Sequence, residues 1–183
     1  VNSGAGADTI TVGAGTIAAG LSVVVDGGAG DDGITLSAFA NSVASTTISI
    51  TGGDGTDTLT LDDNTLLTAG AVTLSGIEVI QLAGTGDVGN ANFQAADISG
   101  QTFTMKSDGG NDGNGFTVTG AATTTEIDLS TLTMDQTVTK GAFATSITAN
   151  AGSQGATIKG TAVVDTIVGS GFADTITGGN GAD

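Results

Sequence analysis

The feature that most constrains this chain is a glycine-aspartate nonapeptide of the form G-G-x-G-x-D-x-U-x, where U is apolar, that recurs at regular intervals. Gly27-Gly28-Ala29-Gly30-Asp31-Asp32-Gly33-Ile34-Thr35 and Gly52-Gly53-Asp54-Gly55-Thr56-Asp57-Thr58-Leu59-Thr60 fit it fully. Ser3-Gly4-Ala5-Gly6-Ala7-Asp8-Thr9-Ile10-Thr11 departs only in its first residue. Asp8, Asp32 and Asp57 are separated by 24 and 25 residues, which predicts one solenoid coil per repeat and a column of aspartates along one edge. At the other end the period tightens to nine. The repeats beginning at Gly160, Gly169 and Gly178 follow one another without a gap, with Asp165, Asp174 and Asp183 in the sixth place and Ile167 and Ile176 in the eighth. The phase extends backwards over 151–159 with Ala156 where Asp would stand, and the last repeat is cut at its aspartate, as expected of a fragment of a longer protein.

Between the turns the chain reads as strand. Apolar or β-branched residues alternate with Thr and Ser over 8–12, 33–36, 46–50, 58–61, 71–74, 78–82, 116–119 and 166–168, and a period of two puts one set of side chains on each face. Helical signals are confined to single turns over 65–71 and 92–96, too short to stand alone. The core must come from Val, Ile, Leu and Ala, because there are six Phe and no Trp or Tyr among 183 residues. Such side chains suit thin stacked layers. The absence of Pro keeps every N–H available to a continuous ladder.

The expected fold is all-β, a calcium-binding parallel β-solenoid of β-roll or β-helix type. Three regions are expected: a long-period solenoid with glycine-aspartate turns over 1–84, an irregular β segment over 85–150, and the start of a tandem nonapeptide roll over 151–183. Strand character persists in the middle region but the turns lose their regularity, so further coils and a β-sandwich both fit it. Residues 108–116 are a distorted echo with Asn114 in the place of the sixth-position Asp, and no full site is expected there.

Charge narrows the function classes. Nineteen acids against three lysines, Lys106, Lys140 and Lys159, give a net charge of −16. Nucleic acid, bound by neutralising phosphates, is excluded as a partner, and direct membrane insertion is not expected from a chain without a long apolar run. No Cys or His is present. Disulfides, cysteine-based metal sites and His-dependent nucleophiles are therefore absent, and a carboxylate pair doing acid-base work lacks any aromatic substrate platform. The reading is of a non-enzyme.

Seventeen of the acids are Asp, whose short carboxylate suits tight turns and hard cations with oxygen ligands. Glycines let carbonyl oxygens converge, Asp brings charge, and the apolar eighth residue supplies the core. One turn gives about half of the six to eight oxygens that Ca2+ takes, so a second must complete the shell. Magnesium suits adaptable, carbonyl-rich turns less well. The candidate calcium ligands are Gly4, Gly6 and Asp8; Gly28, Gly30 and Asp32; Gly53, Gly55 and Asp57; Glu78; and Asp165, Asp174, Gly179, Gly181 and Asp183. Two repeats apart in a nine-residue roll, Asp165 and Asp183 would flank one ion, whereas Asp174 would need a turn beyond the chain's end. For any single motif a plain glycine turn with a solvated Asp is equally good. Repetition favours the ion, because stacked carboxylates repel unless a cation lies between them. Glu78 reads either as a further ligand or as an exposed strand residue.

These repeats resemble RTX repeats, and their wide spacing among Thr/Ala/Val/Gly strands, with Ser75-Gly76-Ile77-Glu78 following the third, is most similar to the calcium-dependent surface-layer (S-layer) proteins of Gram-negative bacteria. That resemblance implies type I secretion, folding in external calcium, and a structural protein at the bacterial cell surface that self-associates into a lattice or filament. Anchoring to lipopolysaccharide would lie in a region outside this chain. Two other settings share the repeats: the calcium-binding folding and secretion region of an exoenzyme, and the spacer of a large adhesin.

Overall fold

The computed structural model describes residues 1–13, 15–16, 20–37, 39–41, 47–62, 66–67, 71–83, 90–107, 115–121, 123–124, 126–135, 144–149 and 155–183. They form a right-through stack of parallel strands. The first coil is β1 (Thr9–Val12), β2 (Gly15–Thr16) and β3 (Ser22–Ala29), one strand on each of three faces. The next repeats it with β4 (Gly33–Leu36), β5 (Phe39–Asn41) and β6 (Thr47–Asp54), and the third with β7 (Thr58–Leu61), β8 (Leu66–Leu67) and β9 (Ala71–Ser75). In the fourth, β10 (Val79–Leu82) and β11 (Asn90–Gln94) continue two faces while a single helical turn, α1 (Ala95–Ile98), follows on the third. Strands β12 (Thr104–Ser107), β13 (Gly115–Thr119) and β14 (Glu126–Asp128) make the fifth, and β15 (Thr133–Asp135), β16 (Ala144–Thr148) and β17 (Thr157–Lys159) the sixth.

The coil then loses a face. β18 (Val164–Val168) pairs directly with β16, and β19 (Thr175–Thr177) with β17, with no strand of the first face between them. The three-sided solenoid thus narrows into a two-sided roll where the sequence period tightens. Thr157 pairs with Thr175, two nonapeptides on.

The register explains why aliphatic residues suffice. Identical positions stack, so the core is a set of ladders: Ile10–Ile34–Leu59–Ile80–Met105–Met134 on the first face, Leu67–Phe93–Val118–Ile147–Ile167 on the second, and Val25–Ile50–Leu74 on the third. Ile34, Ile50, Leu59, Ile80, Phe93, Val118 and Ile147 are wholly buried. Phe93 and Phe116 of adjacent coils meet edge to face at 6.1 Å between centroids, a favoured arrangement.

In its described residues the middle of the chain is solenoid rather than sandwich. β10, β11, β12 and β13 pair in parallel with the coils on either side, so the described part of 85–150 continues the same stack. The helical turn expected over 65–71 is replaced by β8 and the start of β9, in so far as its residues are described, because the stack offers ladder partners there. That expected over 92–96 is split, the strand β11 running to Gln94 before α1 begins. The echo at 108–116 lies largely outside the described residues, with Gly115 and Phe116 opening β13. No helix among the described residues is long and apolar enough to cross a membrane.

Candidate metal centre

The sixth-position acids stand in a column along one edge of the first face. The carbonyls of Asp8, Asp32, Asp57 and Glu78 each accept the N–H of a strand residue in the next coil, from Gly33, Thr58, Val79 and Thr104. Their side chains join the same stack in the opposite sense. The main-chain N–H of Asp8 donates to Oδ1 of Asp32, that of Asp32 to Oδ1 of Asp57, and that of Asp57 to Oε2 of Glu78, all at 2.8 Å. Each carboxylate therefore caps the coil before it. Glu78, exposed just ahead of β10, fills the place of an Asp, and its longer side chain spans a coil of 21 rather than 24 or 25 residues.

The second oxygens are left over. Oδ2 of Asp8, Asp32 and Asp57 is buried with no hydrogen-bond partner, and Asp32 and Asp57 are only 2% and 0% exposed. Burying unpartnered carboxylate oxygens is expensive unless a cation or proton compensates them. Burial raises the Asp57 carboxyl above its ordinary range, and repulsion from Glu78, Asp32 and Asp31 adds to that, against the bond from the Asp32 N–H.

Glycine makes the cradle. The second and fourth residues of each full turn, Gly4 and Gly6, Gly28 and Gly30, Gly53 and Gly55, and Gly179 and Gly181, all have positive φ between 101° and 142°, a region that disfavours any Cβ. A Cβ at Gly28 would land on the carbonyl oxygen of Gly4, and one at Gly53 on that of Gly28. The first-position glycines matter for another reason, which the sequence alone did not single out. A Cβ at Gly27 or Gly52 would lie 2.5 Å from Oδ2 of Asp32 or Asp57. The turn thus holds its glycine against the orphaned oxygen.

The column has a definite lower end. Beneath Glu78 the next two places are Phe103 and Leu132, both buried, so the acidic edge passes into the hydrophobic core. In the roll the acids reappear elsewhere. Asp183 accepts the N–H of Asp165 at 3.0 Å, joining the two residues expected as a pair. Asp174 accepts the N–H of Ala156 at 2.8 Å, so its partner turn precedes it and carries no acid. Asp165 lies inside β18 and is 3% exposed, whereas Ile176, expected to point inward, is 49% exposed at the end of its stack.

These two aspartates differ from the others. Thr161 donates its N–H to Oδ2 of Asp165 at 2.7 Å and sets its hydroxyl 3.0 and 3.1 Å from the two oxygens. Ser170 donates its N–H to Oδ2 of Asp174 at 2.8 Å and its hydroxyl to Oδ1 at 2.7 Å. The N–H of Ala156 and the Ser170 hydroxyl hold Asp174 below its ordinary range. Burial pushes Asp165 up, with Asp183 adding to the shift and Thr161 opposing it.

Among the described residues no three acidic side chains converge on one ion position. Any cation in the column would therefore have one or two carboxylates and complete its shell with main-chain carbonyls, the donor set that Ca2+ accepts. The unpartnered Oδ2 atoms fit that role. Compared with protein-family models, characterised proteins and solved structures, the chain gives no match.

Proposed function

We propose that the chain is a structural, calcium-dependent segment of an extracellular bacterial surface protein, and that it carries no catalytic activity. The observation behind this reading is the row of buried, unpartnered oxygens on Asp8, Asp32 and Asp57, stacked coil on coil. A divalent cation between successive carboxylates would supply the missing charge. It would also tie each coil to the next. At low calcium the column repels itself and a glycine-rich chain loses much entropy on ordering; at the calcium concentrations outside a cell, binding favours the fold by mass action.

Self-association into a lattice or filament follows from the resemblance to S-layer proteins, as do type I secretion and anchoring to lipopolysaccharide through another region. A net charge of −16 suits calcium-bridged contacts between copies and opposes contact with nucleic acid. The two-sided roll over 155–183 favours a second reading, the folding and secretion region of an exoenzyme, since tandem nonapeptides are its expected form.

Chelation tests the calcium claim. Far-ultraviolet circular dichroism and the thermal melt of the purified chain should change on adding EDTA and recover with excess calcium; identical spectra and melts would end it. Electron microscopy with calcium tests assembly, ordered sheets or filaments supporting the surface-layer reading and dispersed monomers opposing it.

A further inference from the structure

We infer that the residue in the second place of each turn decides whether its aspartate takes an ion: glycine leaves the carboxylate open to a cation, whereas Thr161 and Ser170 close Asp165 and Asp174 with the protein's own donors. The inference rests on the calcium reading above and divides its candidate sites into two classes.

Three observations carry it. The first is the contrast in hydrogen bonding. Where the second residue is Gly4, Gly28 or Gly53, one oxygen of the turn's Asp is buried without a partner. Where it is Thr161 or Ser170, both oxygens of the Asp four residues on accept hydrogen bonds from that one residue or the coil before. The second is backbone shape. Second- and fourth-place glycines of the open turns have positive φ, while no residue of the turns starting at Gly160 and Gly169 does so as a glycine. A hydroxyl-bearing residue cannot take the open shape without strain, so closure and side-chain identity go together.

The third is the placement of charge. Residues 1–84 contain nine acids and no base, whereas all three lysines lie beyond them. Lys159 donates to Asp128 at 2.6 Å with Glu126 3.9 Å away, and Lys106 lies 3.9 Å from Asp135 across the β12–β15 pairing. In the second half Asp165, Asp174, Asp128 and Asp135 are met by the Thr161 and Ser170 hydroxyls and the Lys159 and Lys106 ammonium groups. The first half has no lysine, and its Ser37 hydroxyl goes to Asp62 rather than to the column, so the column at Asp8, Asp32, Asp57 and Glu78 is where an external cation is required. Asp183, whose second-place residue is Gly179, belongs to the open class.

Native mass spectrometry of the whole chain titrated with calcium chloride, beside hydrogen exchange with and without calcium, tests this. Asp57→Asn should bind at least one ion fewer than the parent chain, while Asp165→Asn and Asp174→Asn should bind the same number. In the parent chain calcium should slow exchange most over 1–82 and least over 155–177. An equal loss of ions from Asp57→Asn and Asp174→Asn, or equal protection of both regions, would overturn the inference and leave the calcium reading standing. No ion bound at any concentration would remove both. If a variant fails to fold, the exchange pattern of the parent chain decides alone. Thr161→Val supplies a further readout: its melt should drop by the same amount in EDTA and in calcium, and a loss abolished by calcium would contradict closure by the hydroxyl.

Discussion

At the scale of single residues, each turn works because particular atoms are missing. Gly53 has φ 122° and its hypothetical Cβ meets the Gly28 carbonyl, so Gly53→Ala should lose about 1–3 kcal/mol from backbone strain, and more from the collision. Thermal melts in saturating calcium would read that loss. Titration gives a second residue-scale test. Asp97 in α1 is pushed up to about 6 by burial, against the Gln94 N–H, and its Oδ2 lacks a partner. A carboxyl raised in this way fits the fold better protonated. Its contribution is therefore complete below the unfolded value of 3.8 and is lost as pH rises through about 6. Urea titrations in EDTA at a series of pH values should show stability falling over that window, and Asp97→Asn should flatten the fall. The repeat made the sixth-position acids legible in the sequence. The partners of Asp165 and Asp174 were marked only by a Ser or Thr four residues earlier, a spacing without meaning until the turns are seen closed.

At the scale of elements, alternation located the strands well because each buries one face. The expected 33–36 and 58–61 are the observed β4 and β7. One long strand was missed and another under-read: no run was expected over β3, and β6 continues past the expected 46–50, both running on through Gly27-Gly28 and Gly52-Gly53 because stacked glycine backbones continue the ladder without side chains. Among the described residues the packing between coils is mostly aliphatic, with Phe93 and Phe116 meeting edge to face. Phe93→Ala should cost about 3–5 kcal/mol, equally with and without calcium, because the cavity it leaves lies in the second-face ladder rather than the acidic column. Equilibrium denaturation in both conditions measures it. A calcium-dependent cost would mean that core and column are coupled.

At the scale of the molecule, Asp8, Asp32, Asp57 and Glu78 lie along one edge and a net charge of −16 makes repulsion dominate. Sodium chloride should raise the melting temperature of the EDTA-treated chain between low salt and about 0.5 M, by screening the exposed charges, yet fall short of millimolar calcium, since buried oxygens are screened little. A melt independent of salt would contradict this. The sequence was enough for the coil length of the first three repeats, their parallel stacking, the aliphatic core and the glycine-aspartate turns, because these depend on local periodicity and backbone freedom; over 85–150 it left coils and a sandwich both open. The tertiary structure was needed to show that Glu78 continues the column of Asp8, Asp32 and Asp57, that the column ends on Phe103 and Leu132, and that three faces become two before β18. Those outcomes depend on register between coils 18 to 31 residues apart, where loop length sets which residue lies above which. It is the same register that leaves Asp32 and Asp57 with an oxygen unpartnered and gives Asp174 two donors from Ser170.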